Sequence, residues 1–390
     1  MPFHASIAGQ TPQLLVRWHR LVIRAMLPMG LILFGAGHAR GQGIGNLNAG
    51  GWMIPGMVKF PSPSNARLRA GEDTGLLLTR SANVSVVLGR DGAMHRFRGT
   101  AAGKLEPIGG DFKALSAVEL RQRLLREYGA DFEVLATTHF LVVQPAGRGD
   151  RWPRLFEASH RGFLDFMNQR QVRVRKGNFP MVAVVMPDEA SMQREMRRHE
   201  IQLGNVAGVY SGAINRVITH DDAERAQAAA TVRHEAAHQS AYNTGVHSRV
   251  NATPKWITEG IGQMFEPAAM TNHRRGASVA DQINRYSLRQ LQGRLERPEI
   301  LTDVVARLIR EDSMFSDARQ IDQAYDVSWA MMFYLAQRQP EVFARVLNET
   351  STRPAFEPYT AAQRLRDFEK WVGEPPAIFG RQLSWYLRSL

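Results

Sequence analysis

Two histidines and a glutamate within five residues, His234-Glu235-Ala236-Ala237-His238, carry the clearest chemistry in this chain. They sit in a run from Asp221 to Tyr242 that is rich in helix formers and contains neither Gly nor Pro, so the run predicts a helix. Asp221 with Glu224 gives a capping-box-like start, and Asn243-Thr244-Gly245 a stop. On a helix, positions i and i+4 share one face, with Cβ atoms about 6 Å apart. The two imidazoles can therefore hold one zinc ion between them. The Glu235 side chain projects about 100° away from His234, toward a metal-activated water rather than the metal. Ala236 and Ala237 leave room for close packing around the ion.

A second helix is predicted 21 residues after His238, around Glu259. Thr253 is its expected N-cap, Pro254 its first residue, and Pro267 lies beyond its end. Ile257, Ile261, Met264 and Phe265 form a core-facing stripe. Glu259 lies off that stripe, beside Trp256 and Gln263, and is expected to point at the first helix.

His234-Glu235-x-x-His238 followed by Trp256-x-x-Glu259-Gly260 resembles the gluzincin zinc metallopeptidases, over roughly residues 130 to 340. The local pattern is also similar to a poorly characterised group of bacterial envelope proteins with predicted peptidase domains. The resemblance implies one zinc ion held by His234, His238 and Glu259, with Glu235 as the catalytic base. It also implies a tyrosine on a later helix that stabilises the reaction's oxyanion. Tyr325, in Gln323-Ala-Tyr-Asp-Val-Ser-Trp329, is the best match, although Tyr325, Trp329, Met332 and Ala336 also read as one core face. Tyr210 and His220 are alternatives for that role. His247 and His273 fit no ligand spacing and read as solvent-facing loop residues.

Stepping outward from the site, the chain of 390 residues is 44% hydrophobic and can bury a sizeable core. It has no cysteine, which excludes disulfides, thiolate metal sites and a cysteine nucleophile. The formal charge of +12 suits an anionic neighbour, but no nucleic-acid motif accompanies it, and nucleic acid is not expected as a partner. The basic run from Arg170 to Lys176 alternates apolar and charged residues like a strand with one wet face.

The expected fold class is α+β: a zincin-like domain, its mixed sheet packed on the active-site helix, with a helical C-terminal lobe and a small N-terminal β-rich module. Residues 1–39 read as a signal peptide, with Arg17, Arg20 and Arg24 before an apolar stretch and a small-residue site at Gly37-His38-Ala39. The alternative is a retained membrane anchor. Residues 40–69 read as a flexible linker, 70–110 as the β module with a hairpin across Gly89–Gly92, 111–270 as the catalytic domain and 271–390 as the helical lobe. Val209 to Thr219 reads as one strand, either the edge bordering the cleft or an inner one. Helices are expected over 281–295, 300–311, 322–338, 340–349, 360–371 and 376–389.

Together these readings anticipate a periplasmic or secreted zinc metallopeptidase whose substrate is a peptide, a protein or a peptidoglycan stem peptide. The competing expectation is a catalytically inactive envelope scaffold, since a fold by itself does not specify a function.

Overall fold

The computed structural model describes residues 56–62, 71–81, 83–99, 101, 105–202, 204, 206–221, 225–271, 277–293 and 297–390. The expected signal peptide, most of the expected linker, His273 and the Glu224 half of the expected capping box lie outside the described residues. The described residues combine helices with two five-stranded sheets, an α+β arrangement. None of their helices is long and apolar enough to cross a membrane.

The N-terminal sheet is antiparallel, in the order β4-β3-β2-β1-β5. Its strands are β1 (Met57–Ser62), β2 (Gly71–Arg80), β3 (Val84–Gly89), β4 (Met94–Arg98) and β5 (Glu106–Ile108). The expected hairpin is β3 with β4. β1 corrects the linker reading: Val58 and Phe60 point into this module's core beside Leu77 and Val87. Apolar burial outweighs the loop-like signal of the neighbouring prolines.

The second sheet is mixed, ordered β6-β7-β8-β10-β9. It comprises β6 (Phe132–Ala136), β7 (Phe140–Pro145), β8 (Met181–Met186), β9 (Gly208–Ser211) and β10 (Arg216–His220). β7, β8 and β10 run parallel, and β6 and β9 are antiparallel edges. The segment read as one strand from Val209 to Thr219 is thus a hairpin, with β9 at the edge and β10 inside. Asn215 permits the reversal, at φ 55, in a conformation that Asn tolerates better than most residues. Residues 170–176 form no strand. Arg170 instead stacks its guanidinium on Phe166 and donates from Nε to the Ala336 carbonyl.

Helices α1 (Ala117–Tyr128), α2 (Arg151–Gln169) and α3 (Glu189–Arg198) accompany this sheet. α4 (Arg225–Asn243) carries the two histidines. Its Ala228, Val232 and Ala236 pack on the sheet, while Ala237 and Ala241 pack into the helical core on the opposite side. A helix enclosed on both sides needs small residues on both faces, which the alanines supply.

α5 (Lys255–Phe265) follows. Its cap differs from expectation: Pro254 is the N-cap, with no side-chain bond of its own. Asp312, far along the chain, accepts the Lys255 N–H at 3.0 Å. The remaining helices are α6 (Val279–Gln282), α7 (Arg285–Gln292), α8 (Pro298–Arg310), α9 (Ile321–Arg338), α10 (Pro340–Ser351), α11 (Ala361–Val372) and α12 (Pro376–Arg388). The helix expected over 281–295 is broken because Asn284 caps a new helix starting at Arg285, its side chain accepting the Ser287 N–H. One hydrophobic core runs from Phe163 in α2 through α4 and α5 to Leu387 in α12. α5 and α9 cross closely at Gly260, where an added Cβ would lie 2.5 Å from the Ser328 carbonyl oxygen. This contact sets the distance between the helices that carry Glu259 and Tyr325.

Candidate metal centre

His234 and His238 point from α4 toward α5, and Glu259 points back. Their Nε2 atoms lie 3.0 Å apart, and Glu259 Oε2 lies 3.6 Å from the first and 3.4 Å from the second. All three residues are at least nine-tenths buried. Ligands bound to zinc at about 2.1 Å in a tetrahedron stand ~3.4 Å from one another, close to these separations. Glu259 Oε2 is buried and makes no hydrogen bond. A buried, unsatisfied carboxylate oxygen facing two imidazole nitrogens is costly unless a cation joins them. The donor set and its spacing therefore fit zinc.

Two glycines shape this cradle. A Cβ at Gly262 would lie 2.5 Å from His234 Nε2, so α5 can approach the imidazole only because position 262 has no side chain. At Gly208 a Cβ would press on Thr231 and approach Glu235, and its absence brings β9 against α4.

Glu235 is buried, and its Oε2 accepts the Tyr210 backbone N–H at 2.6 Å. Burial raises its pKa, against the pull of His234 and His238. Tyr210 thus reaches the site through its backbone, while its hydroxyl turns away to donate to Asn215 Oδ1 at 3.0 Å. Its ring stacks on Tyr242, with centroids 5.6 Å apart. His220 ends β10 opposite Met186 and acts electrostatically on Asp188, outside the cluster. Tyr325 is fully buried, with its ring centroid 6.5 Å from that of His234. Burial, then the charges of Glu259 and Glu235, raise its pKa well above the ordinary value. Of the three alternatives, Tyr325 is the one whose side chain is brought to the carboxylates.

The sequence reading did not single out one neighbour and placed another in solvent. Glu266, just beyond α5, faces His234 Nδ1 across 2.9 Å through Oε1. Asn284 donates to Glu266 Oε2 at 2.9 Å, and Arg233 Nε holds the Glu266 carbonyl at 2.6 Å. A carboxylate on the outer nitrogen of a ligating histidine fixes its tautomer and ring orientation. Burial opposes protonation of His234, but Glu259 and Glu266 outweigh it and lift the pKa to about 10 in the metal-free protein. The available signal was the seven-residue spacing from Glu259, which is two helical turns. The second neighbour is His247, which is buried rather than solvent-facing. Its ring lies edge-on to Tyr242, and burial followed by His238 lowers its pKa to about 3.

Against known families, one match stands out. A family model described as a protein of unknown function (DUF1570) matches residues 228–357. This segment runs from within α4 past α10 and includes His234, Glu235, His238, Glu259, Glu266 and Tyr325. No curated protein matches the chain.

Proposed function

We propose that this protein is a zinc-dependent hydrolase of peptide bonds, built on a zincin-like domain of gluzincin type. The observation that carries the proposal is the convergence of His234 Nε2, His238 Nε2 and the unsatisfied Glu259 Oε2, with the Glu235 carboxylate on the adjoining turn. His234, His238 and Glu259 would hold the ion. When bound, zinc supplies Lewis-acid polarisation and a nucleophile competent near neutral pH.

The protein's own groups divide the remaining work. Glu235 takes a proton from the attacking water and returns it to the leaving amine; burial holds its pKa up, toward the range a base used at neutral pH requires. The Tyr210 N–H fixes one Glu235 oxygen and leaves the other to face the reaction. Tyr325 keeps its proton, because burial and the nearby carboxylates raise its pKa, and so remains a donor for a developing oxyanion. β9 leaves one sheet edge beside α4, where an extended peptide could add as a strand. An exported location, by way of residues 1–39, belongs to the same reading.

Glu235→Gln tests it, because it keeps the size of the side chain and removes the base. The variant should fold, bind about one zinc per chain, and lose at least roughly 10²-fold in peptide hydrolysis. Metal analysis together with a peptide-library digest provides both readings. Equal turnover by wild type and variant would refute the mechanism. No turnover by zinc-loaded wild type on any peptide would favour the inactive scaffold.

A further inference from the structure

One helical turn beyond His238, a half-open pocket of about 250 Å³ lies between α4 and the N-terminal β module. Leu78, Leu88 and Met94 of the module form one wall. Tyr242, His247, Arg175 and Arg249 line the other. The pocket adjoins the candidate metal centre through Tyr242, which stacks on Tyr210, whose backbone holds Glu235. The wall is cationic. Arg249 spends Nη1 on the Gly92 and Gly212 carbonyls, at 2.6 and 3.2 Å, and Arg175 is exposed. Among the described residues neither guanidinium has a carboxylate partner, so both keep their full charge toward the pocket.

His247 lies in the same wall. It is 1% exposed, and its Nδ1 faces the Val246 carbonyl, which can only accept, so Nδ1 carries the proton. This leaves Nε2 an acceptor, buried and without a hydrogen-bond partner.

We infer that this pocket binds a carboxylate-bearing residue of the peptide substrate, its carboxylate on Arg175 and Arg249. The inference deepens the peptidase reading by naming a specificity site, and it rests on that reading for the word substrate. It also gives the β module a function, since without Leu78, Leu88 and Met94 the pocket would lack a wall. The carboxylate can come from a peptide C-terminus or from an acidic side chain, and both present the same planar anion to a guanidinium.

The test is calorimetric binding to the full chain of three short N-acetylated peptides: one with a free C-terminus, its C-terminal amide, and an amide ending in Asp. Wild type should bind at least one carboxylate peptide about tenfold tighter than the neutral amide, the scale of one charge-assisted hydrogen bond. Whichever carboxylate peptide binds identifies the source. Arg175→Gln, whose side chain makes no hydrogen bond or ion pair within the described residues, should lower that ratio several-fold without lowering the melting temperature. Equal binding of all three peptides, or an unchanged ratio in Arg175→Gln, overturns the pocket assignment. Glu259→Ala separates the two proposals: the charge preference should survive there even if zinc and hydrolysis are lost. Charge-dependent binding with no hydrolysis by zinc-loaded wild type would keep the pocket and refute the peptidase.

Discussion

Two clusters in this molecule look alike by composition and differ in what surrounds them. His234, His238 and Glu259 bring three ligand atoms within 4.8 Å of one another, and so do Glu127, Glu195 and His199. In the second cluster, Arg216 grips both Glu127 oxygens, at 2.9 and 3.0 Å, and Arg198 bridges Glu127 to Glu195. The Tyr128 hydroxyl donates to Glu195, and His199 meets the same carboxylate at 3.1 Å. Every carboxylate there already has cations or donors, supplied by two arginines, a tyrosine and a histidine. In the first cluster no arginine or lysine among the described residues forms an ion pair with Glu259, whose Oε2 faces His234 and His238 and makes no hydrogen bond. Proximity of ligating atoms does not by itself make a metal site; what sets the candidate site apart is a buried carboxylate oxygen with no hydrogen bond and no guanidinium on it.

Substitution should separate the two clusters. Glu259→Ala should reduce zinc affinity by more than the roughly 10–100-fold typical of outer-shell changes, and the metal-free protein should lose the part of the low-pH stabilisation that Glu259 gives protonated His234. Zinc titration against a chelator reads the first and calorimetry the second; retained affinity would remove Glu259 from the ligand set. Arg216→Met leaves Glu127 buried with only part of its compensation, at a cost of roughly 3–5 kcal/mol, and zinc content should stay at the wild-type level. If Arg216→Met lost zinc while stability held, the assignments of the two clusters would be reversed.

Glu266→Gln is subtler. It keeps the shape but removes the charge on His234 Nδ1, and zinc affinity should fall roughly 10–100-fold with the fold intact. The remaining effect is pH-dependent. His234 in the metal-free protein has its pKa raised to about 10 from the ordinary 6.5. Its protonated form therefore stabilises the folded state fully below pH 6.5, and that contribution fades as pH rises toward 10. Zinc must displace the same proton, so its affinity should climb over this window by up to about tenfold per pH unit. Melting curves of metal-free protein and zinc affinities measured at the same pH values check both slopes. A flat response in both would mean that His234 is neutral throughout.

How much of this was legible beforehand varied with the range of the interaction. The i, i+4 spacing of the histidines is a local property of α4, and the downstream helix with Glu259 followed from its own apolar stripe. Tyr325 was legible as a residue but not as a neighbour of Glu259, because that depends on α5 and α9 crossing at Gly260. Thr253 looked like the cap of α5, yet Asp312 supplies an acceptor from the helical lobe. His247 was read as exposed because nothing local reveals that the β module closes over it.

Sequence alone determined the residue types of the candidate site and their helical spacing. Tertiary structure decided which carboxylates would be neutralised by arginine and which left unmet. It also decided that Glu266 would orient His234, and that the chain from Val209 to Thr219 would fold into an edge and an inner strand. The reason is physical: helix periodicity and propensity act over a few residues, whereas desolvation and charge compensation depend on what the whole fold brings within a few ångströms.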